Sequence, residues 1–149
     1  IWLYCRKTKE PFWGVLDKVA VAGALTGAFI RLGNFMNSEI LGKATGSDYG
    51  VVFERVDNVA RHPAQLYESL AYFAIFIILF ILYKSKKFKP ANGFIFGLFF
   101  TLLFAARFFI EFYKIDQVAF EEGMVLNMGQ ILSIPFMLGG IIVMFLKRK

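Results

Sequence analysis

The segment RLGNFMNSEILG (residues 31–42) places charged and amide side chains directly after the apolar run VAVAGALTGAFI (19–30). Its polar and glycine positions include Arg31, Asn34, Asn37, Glu39 and Gly42. An arginine guanidinium is planar and offers a fork of N–H donors that suits a phosphate group. An arginine alone at the end of a membrane segment serves as an interfacial anchor, but this density of polar neighbours indicates an anion-binding site.

A second arginine, Arg107, lies inside the apolar run GFIFGLFFTLLFAARFFIEFY (93–113). At about 1.5 Å per residue, it lies roughly 9 Å below the end of that run. A charge at the centre of a membrane helix costs about 2.5–3.5 kcal/mol, so Arg107 is expected to face a partner or a water-filled cavity. Glu111 follows one turn later, and an Arg107–Glu111 ion pair is one interpretation. The other is that Arg31 and Arg107 share an anion, either an internal carboxylate or a lipid phosphate.

Further polar side chains fall at the same ends of the other apolar runs: Arg61, His62, Gln65, Tyr67, Glu68 and Gln130. His62 is the only histidine and is a candidate general acid or base. The proline that follows it also fits an ordinary helix start, which is the structural alternative. One histidine and one cysteine make a metal site improbable, and no cofactor is expected. Helix ends that meet at one level predict a single polar pocket.

The elements that position these residues are predicted to be membrane helices. Hydrophobic residues make up 58% of the 149 residues, against about 45–50% in soluble domains. A spanning helix needs about 20 mainly apolar residues, and four segments meet this requirement, at about 11–30, 66–83, 92–113 and 128–146. We therefore expect an all-α integral membrane protein that forms a single membrane domain over residues 1–149, with an N-terminal helix stub before the first span.

The basic residues indicate the orientation of the helices. They precede the first span, separate the second from the third, and follow the last: Arg6, Lys7, Lys9, Lys84, Lys86, Lys87, Lys89, Lys147, Arg148 and Lys149. Short loops rich in lysine and arginine lie in the cytoplasm. The opposite side carries the loop 31–65, whose β-like patches predict a small extracytoplasmic subdomain, and acids that include Asp116, Glu121 and Glu122. Topology thus accounts for the net charge of +6, and no nucleic acid partner is expected.

Two other classes of membrane protein are considered. A transporter or channel subunit with an outward-facing anion site also uses intramembrane arginines and asparagines. Transporters, however, place polar residues near the bilayer midplane, whereas the second and fourth spans are apolar through their middles. A purely structural subunit has no need of two arginines at one depth.

The segment RLGNFMNSEILG resembles the signature of the prolipoprotein diacylglyceryl transferases, roughly Gly-Arg-x-Gly-Asn-Phe-x-Asn-x-Glu-x-x-Gly. The matching positions are Arg31, Gly33, Asn34, Phe35, Asn37, Glu39 and Gly42, and Ile30 stands where the family has its leading glycine. RHPAQLYES (61–69), ARFFIEF (106–112) and MGQILSIP (128–135) are similar to later segments of the family. These matches cover nearly the whole chain in the right order.

The resemblance implies transfer of the diacylglyceryl group of phosphatidylglycerol, a membrane lipid, to the lipobox cysteine in the signal peptide of a prolipoprotein. A thioether forms and glycerol phosphate leaves, at the outer (periplasmic) face of the bacterial cytoplasmic (inner) membrane. The resemblance implies catalytic roles for Arg31 and Arg107, the second as a phosphate contact or a gate. It implies substrate-binding roles for Asn34, Asn37, Glu39, Gly42, Arg61, His62, Gln65, Tyr67, Glu68, Glu111 and Gln130.

The general base of the family is a histidine in a His-Gly-Gly segment. That segment would precede Ile1, so we expect the chain to correspond to a C-terminal portion of the family, with upstream helices missing. His62 matches a different histidine of the family and is not expected to replace that base. Cys5 follows the N-terminal stub on the cytoplasmic side, so the reacting cysteine is expected to belong to the substrate.

Overall fold

A computed structural model describes residues 1–115 and 125–148 of the chain. Its helices are α1 (Trp2–Thr8), α2 (Phe12–Met36), α3 (Ala64–Lys84), α4 (Phe94–Ile110) and α5 (Met128–Leu146). Within the described residues, α2, α3, α5 and α4 with its 3₁₀ extension Glu111–Tyr113 are four helices long and apolar enough to cross a membrane. The expected all-α, multi-pass membrane fold with an N-terminal stub is confirmed. Asp116, Glu121, Glu122 and Lys149 lie outside the described residues.

Helix α2 continues to Met36, beyond the limit of about residue 30 expected from hydropathy. Its C-cap is Asn37, and the chain then turns through Ser38 and Ile40, whose φ angles are 57° and 55°. Because the helix continues through the polar segment, Arg31 and Asn34 lie one turn apart on the same helical surface.

Helix α4 contacts the three other long helices, α2, α3 and α5. Helix α2 also contacts α3. Alanines and large apolar residues share the central core: Val21, Ala24, Ala28, Tyr72, Ile75, Leu79 and Ile95. Gly97 and Gly140 bring the backbones of α4 and α5 into contact. A Cβ on Gly97 would lie 2.7 Å from the backbone nitrogen of Met144, and close approach of this kind is how small residues join membrane helices.

Asp17, which interrupts the first apolar segment, caps helix α4 from α2. Its carboxylate accepts hydrogen bonds from the backbone N–H groups of Gly93 and Phe96, both at 2.8 Å. The side chain is buried, and Gly93 at the N-cap position has no side chain of its own to offer. A carboxylate at a helix N-terminus satisfies otherwise unpaired donors and interacts favourably with the helix dipole. This charge therefore has a partner inside the protein.

The connection between α2 and α3 forms a small antiparallel hairpin. Strand β1 (Val51–Val52) pairs with β2 (Ala60–Arg61), with Val51 opposite Arg61. Isolated bridges join Ala44 to Arg61 and Gly42 to Lys114. These pairings attach the segment after α2 both to the hairpin and to the end of α4, so that residues distant in sequence meet above the helices.

Candidate functional site

Glu68, one turn into α3, lies at the centre of a buried charge network. Its Oε2 atom lies 3.1 Å from Nε of Arg31, and its Oε1 atom accepts a hydrogen bond of 2.9 Å from Nζ of Lys114. The same ammonium group lies 3.3 Å from Oε2 of Glu111. Glu68 is fully buried and Lys114 is only 2% exposed. Two cations and two carboxylates thus join α2, α3 and the end of α4, and each charge compensates the burial cost of another.

Sequence reasoning missed Lys114 and proposed a different partner for Glu111. Among the described residues, Glu111 pairs with Lys114 and takes part in no ion pair with Arg107. The 3₁₀ turn after α4 brings Lys114, three residues after Glu111, onto the same face. The i,i+3 spacing of Glu111 and Lys114 is the sequence feature that indicates this ion pair. Lys114 lies just beyond the apolar run, outside the predicted membrane helix.

Arg107 is half-buried on α4, and its Nε atom is fully buried without a hydrogen-bond partner among the described residues. Tyr72 on α3 is buried, and the charges near its hydroxyl group are those of Arg31, Arg107 and Glu68. Arg31 of α2 and Arg107 of α4 therefore both lie in the neighbourhood of Tyr72. Because Glu68 already pairs with Arg31 and Lys114, Arg107 retains the capacity to bind an anion from outside.

The polar residues after Arg31 hold that side chain in place. Arg31 Nη1 donates a long hydrogen bond of 3.5 Å to Oδ1 of Asn34, and Nδ2 of Asn34 donates to Oε2 of Glu39 at 3.0 Å. The buried Gln65 on α3 donates to the backbone oxygen of Glu39 at 2.6 Å. Asn34 thus contacts Arg31 directly, and Glu39 and Gln65 hold Asn34 in place through a chain of hydrogen bonds. Asn37 is exposed and contributes the C-cap of α2, away from this chain of contacts.

Gly42 is buried directly against the backbone of His62. The carbonyl oxygen of His62 occupies the space that a Cβ on Gly42 would need, so any side chain there displaces the backbone. The N–H of His62 also donates to the oxygen of Lys43 at 2.9 Å. The final glycine of the signature segment is thus required for a close approach between two backbone segments at the top of the site.

Arg61 and His62 lie beside the charge network and have partners of their own. Arg61 Nη2 lies 2.6 Å from Oδ2 of Asp57, and Nη1 donates to the oxygen of Gly42 at 3.4 Å. The hydrogen bond from Arg61 lowers the pKa of Asp57 below its usual value. Nδ1 of His62 lies 3.2 Å from the hydroxyl oxygen of Tyr67. The sequence predicted one pocket for all of these residues, whereas the contacts given for Arg61 and His62 do not include Arg31.

Three tyrosines surround His62. The hydroxyl group of Tyr67 is 2.7 Å from that of Tyr49, and the ring of Tyr113 is 5.0 Å from the His62 ring between centroids. The His62 ring is therefore held by contacts with the rings of Tyr49, Tyr67 and Tyr113.

Gln130 joins the start of α5 to the end of α4. Its Oε1 atom accepts from the backbone N–H of Asn127, and its backbone N–H donates to Oδ1 of Asn127, which forms a capping box. Its Nε2 atom donates to the oxygen of Phe108 at 3.2 Å, next to Arg107. Gln130 therefore positions the helix end that carries Arg107.

Comparison with known proteins identifies the family of the chain. The sequence profile of the family described as Prolipoprotein diacylglyceryl transferase matches residues 1–146. Among the most similar relatives, proteins named phosphatidylglycerol–prolipoprotein diacylglyceryl transferase from Tolumonas auensis and Bacteroides fragilis are 54% and 55% identical over the whole chain. One from Chloroherpeton thalassium is 39% identical over the whole chain.

The chain spans between 54% and 58% of the length of these three relatives. The profile match and the identities nevertheless cover nearly all of the chain, and the relatives carry the same family name as the profile. The chain belongs to the prolipoprotein diacylglyceryl transferase family.

Proposed function

We propose that the protein transfers the diacylglyceryl group of phosphatidylglycerol to the cysteine thiol of a prolipoprotein signal peptide. The observation that carries this proposal is that Arg31 and Arg107, from two different helices, both lie near Tyr72, with Nε of Arg107 buried and unpartnered among the described residues. Membership of the family supports the same reaction and does not favour the transporter or channel alternative.

In the proposed reaction, the thiolate sulfur attacks the glyceryl carbon that carries the phosphate. The carbon–sulfur bond forms as the carbon–oxygen bond breaks, and the electron pair of that bond goes to the departing glycerol phosphate. The thiol has an ordinary pKa of about 8.5, so its proton must pass to a base or its anion must form in a positive field. The product is a thioether.

The two arginines would serve the phosphate in different ways. Negative charge grows on the phosphate as it leaves, and a donor placed before the reaction stabilises that charge without reorganising. Arg31 is held by Glu68 at Nε and by Asn34 at Nη1, which suits such a fixed donor. Arg107 lacks an internal ion pair among the described residues, which suits a group that contacts the lipid as it enters.

The site would lie at the outer (periplasmic) face of the bacterial inner membrane. Arg31, Glu68, Arg107 and Gln130 lie at the ends of the membrane helices that are opposite the lysine- and arginine-rich loops, and such loops face the cytoplasm. The hairpin that holds Arg61 would then form the extracytoplasmic subdomain.

The test is transfer of labelled diacylglyceryl from phosphatidylglycerol to a lipobox peptide, with the whole membrane protein in vesicles. Arg31→Ala is expected to lower the rate by about 10²–10³-fold, as loss of one fixed donor does elsewhere, and Arg107→Ala to lower it as well. Arg55→Ala, at an exposed arginine on the hairpin, is the matched control and is expected to keep the rate. Absence of transfer by the intact protein, or a full rate in Arg31→Ala, would refute the proposal.

A further inference from the structure

An apolar groove runs between α2 and α3 at the end of the bundle that carries the lysine-rich segments. Its volume is about 310 Å³. One stripe of each helix lines it: Lys18, Val21, Ala22 and Leu25 of α2, and Phe76, Phe80 and Tyr83 of α3. Spacings of three and four residues place each stripe on one helical face. Each stripe extends over seven residues, so the groove is about 10 Å long.

The groove ends before it reaches the charge network. The rings of Phe29 on α2 and Phe73 on α3 contact each other at 5.4 Å between centroids. Both rings lie about one turn beyond the groove-lining residues, on the side of the charge network. None of the charged residues of the candidate site lines the groove. The groove is therefore separate from the site of the proposed reaction.

Two lysines lie at the opposite end of the groove, one on each helix. Lys18 is part of the groove wall, and its Nζ atom lies 3.4 Å from Oε2 of Glu10 in an exposed ion pair. The Nζ atom of Lys84 lies over the ring of Phe80, 5.9 Å from its centroid. Lys84 takes part in no ion pair among the described residues. An exposed pair contributes little and an ammonium group has three donors, so both lysines can bind a further anion.

The groove and its lysines define the chemistry of an occupant. Ala22, Phe80 and Tyr83 are exposed on two membrane-spanning helices, so the groove opens toward lipid. The hydrocarbon core of a bilayer is about 30 Å thick, or roughly 15 Å for each leaflet, so a groove of about 10 Å fits within one leaflet. Lysine buries its apolar stem and extends its ammonium group to the headgroup level. The occupant must therefore combine an apolar chain with an anionic head.

We propose that this groove binds an anionic glycerophospholipid from the leaflet next to the lysine-rich segments. Its phosphate pairs with Lys18 and Lys84, and one acyl chain lies along the groove. The inference does not rest on the proposed reaction, because this lipid lies at the other end of the helices and is not consumed. A lipid bound to the folded state joins the start of α2 to the end of α3 and stabilises the protein.

The test compares phosphatidylserine and phosphatidylcholine that carry the same photoreactive diazirine in one acyl chain. The whole protein is placed in phosphatidylcholine vesicles, with each photoreactive lipid well below saturation. We expect phosphatidylserine to crosslink within residues 18–25 and 76–83, and phosphatidylcholine to crosslink there several-fold less. One lysine near an anionic headgroup contributes a factor of about five in binding. Lys18→Gln and Lys84→Gln should therefore each lower the phosphatidylserine crosslinks about fivefold.

Matched controls separate this site from a general attraction of lipid to the basic end. Lys86→Gln and Lys87→Gln remove the same charge from exposed lysines after α3 that do not line the groove, and they should leave the crosslinks unchanged. Ala22→Trp fills the groove from an exposed position, so it should fold and lower the crosslinks about tenfold, the scale of a steric mismatch in an apolar pocket. Ala74→Trp, exposed on α3 outside the groove, should not change them.

Equal crosslinking by the two lipids, or an equal loss in Lys18→Gln and Lys86→Gln, would show ordinary lipid contact and overturn the inference. An absence of lipid crosslinks together with a disulfide-linked dimer of Ala22→Cys, in a Cys5→Ser background, would assign the groove to a second copy of the chain and overturn it as well. Crosslinking needs no thiol acceptor, so these results are independent of whether the protein transfers diacylglyceryl groups.

Discussion

The ammonium group of Lys114 lies between the carboxylates of Glu68 and Glu111, at 2.9 and 3.3 Å. Arg31 pairs with the second carboxylate oxygen of Glu68. The position of Arg31 at the proposed phosphate contact therefore depends on Lys114, which is not itself assigned a contact with the lipid. At the scale of single residues, the site consists of a few charges whose positions are set by their mutual pairing inside a region with little water.

Lys114→Met is expected to destabilise the protein by about 3–5 kcal/mol, since removal of one partner leaves buried carboxylates uncompensated. Lys114→Arg should retain most of the stability because it keeps the charge. Thermal unfolding in detergent measures both, with Lys43→Met at an exposed lysine as the control. Equal midpoints for Lys114→Met and Lys43→Met would show that the network carries no net stability.

The glycines of the signature segment make a second prediction at this scale. Gly42→Ala is expected to cost about 1–3 kcal/mol, the usual effect of overpacking, because the oxygen of His62 occupies the space for the new methyl group. Gly33→Ala should be neutral or stabilising by about 0.5–1 kcal/mol, since it lies in helix α2 with nothing within 4 Å of its Cβ position. Denaturant unfolding of the two variants tests the contrast, and the reverse order would contradict it.

At the scale of elements, α4 and α5 are joined by polar contacts at one end and by a close approach of two glycines toward the other. Gln130 and Asn127 attach the start of α5 to the end of α4. The Gly97–Gly140 contact holds the same two helices together near the start of α4 and in the last third of α5. Helix α4, which carries Arg107, is therefore fixed near both ends.

Asp17→Ala should loosen the start of α4. It removes the acceptor of two N–H groups, those of Gly93 and Phe96, and unsatisfied buried donors cost about 1–3 kcal/mol. Hydrogen exchange measured by mass spectrometry should show faster exchange over residues 93–97. Glu10→Ala is the control, since Glu10 makes only an exposed pair with Lys18 at 3.4 Å, which contributes about 0–1 kcal/mol. Unchanged exchange in Asp17→Ala would exclude the capping role.

At the scale of the whole molecule, charge is divided between the two ends of the helix bundle. Lysine-rich segments lie at one end, and the hairpin and the charge network lie at the other. Such a division of charge orients a multi-pass protein in the membrane, with the lysine-rich loops in the cytoplasm. The proposed reaction would then take place at the opposite side of the bilayer.

The orientation can be tested with single cysteines in a Cys5→Ser background. Ser47→Cys lies on the exposed outer hairpin, and Lys87→Cys lies in the exposed turn between α3 and α4. In intact bacterial cells whose outer membrane has been made permeable, an impermeant maleimide is expected to label Ser47→Cys and to leave Lys87→Cys unlabelled until the cells are lysed. Labelling of Lys87→Cys before lysis would reverse the proposed topology.

The sequence by itself determined the class of fold, the number of spans and the family. These follow from local quantities: long apolar runs, the sorting of lysines and arginines, and a signature segment whose residue types appear in order. It also predicted that Arg31 and Arg107 share an anion, because the cost of an intramembrane charge depends on depth, which can be counted along a helix.

Only the tertiary structure decided which charge pairs with which. Glu111 had an arginine one turn before it and a lysine three residues after it, and the choice of Lys114 follows from the 3₁₀ turn and from the bridge of Lys114 to Gly42. In the same way, Asp17 only interrupts an apolar run in the sequence, whereas in the structure it caps a helix that begins 76 residues later. The N–H groups that Asp17 accepts lie on another helix, and the position of Lys114 depends on a bridge to a distant segment. No periodicity along one segment encodes the distance between two segments.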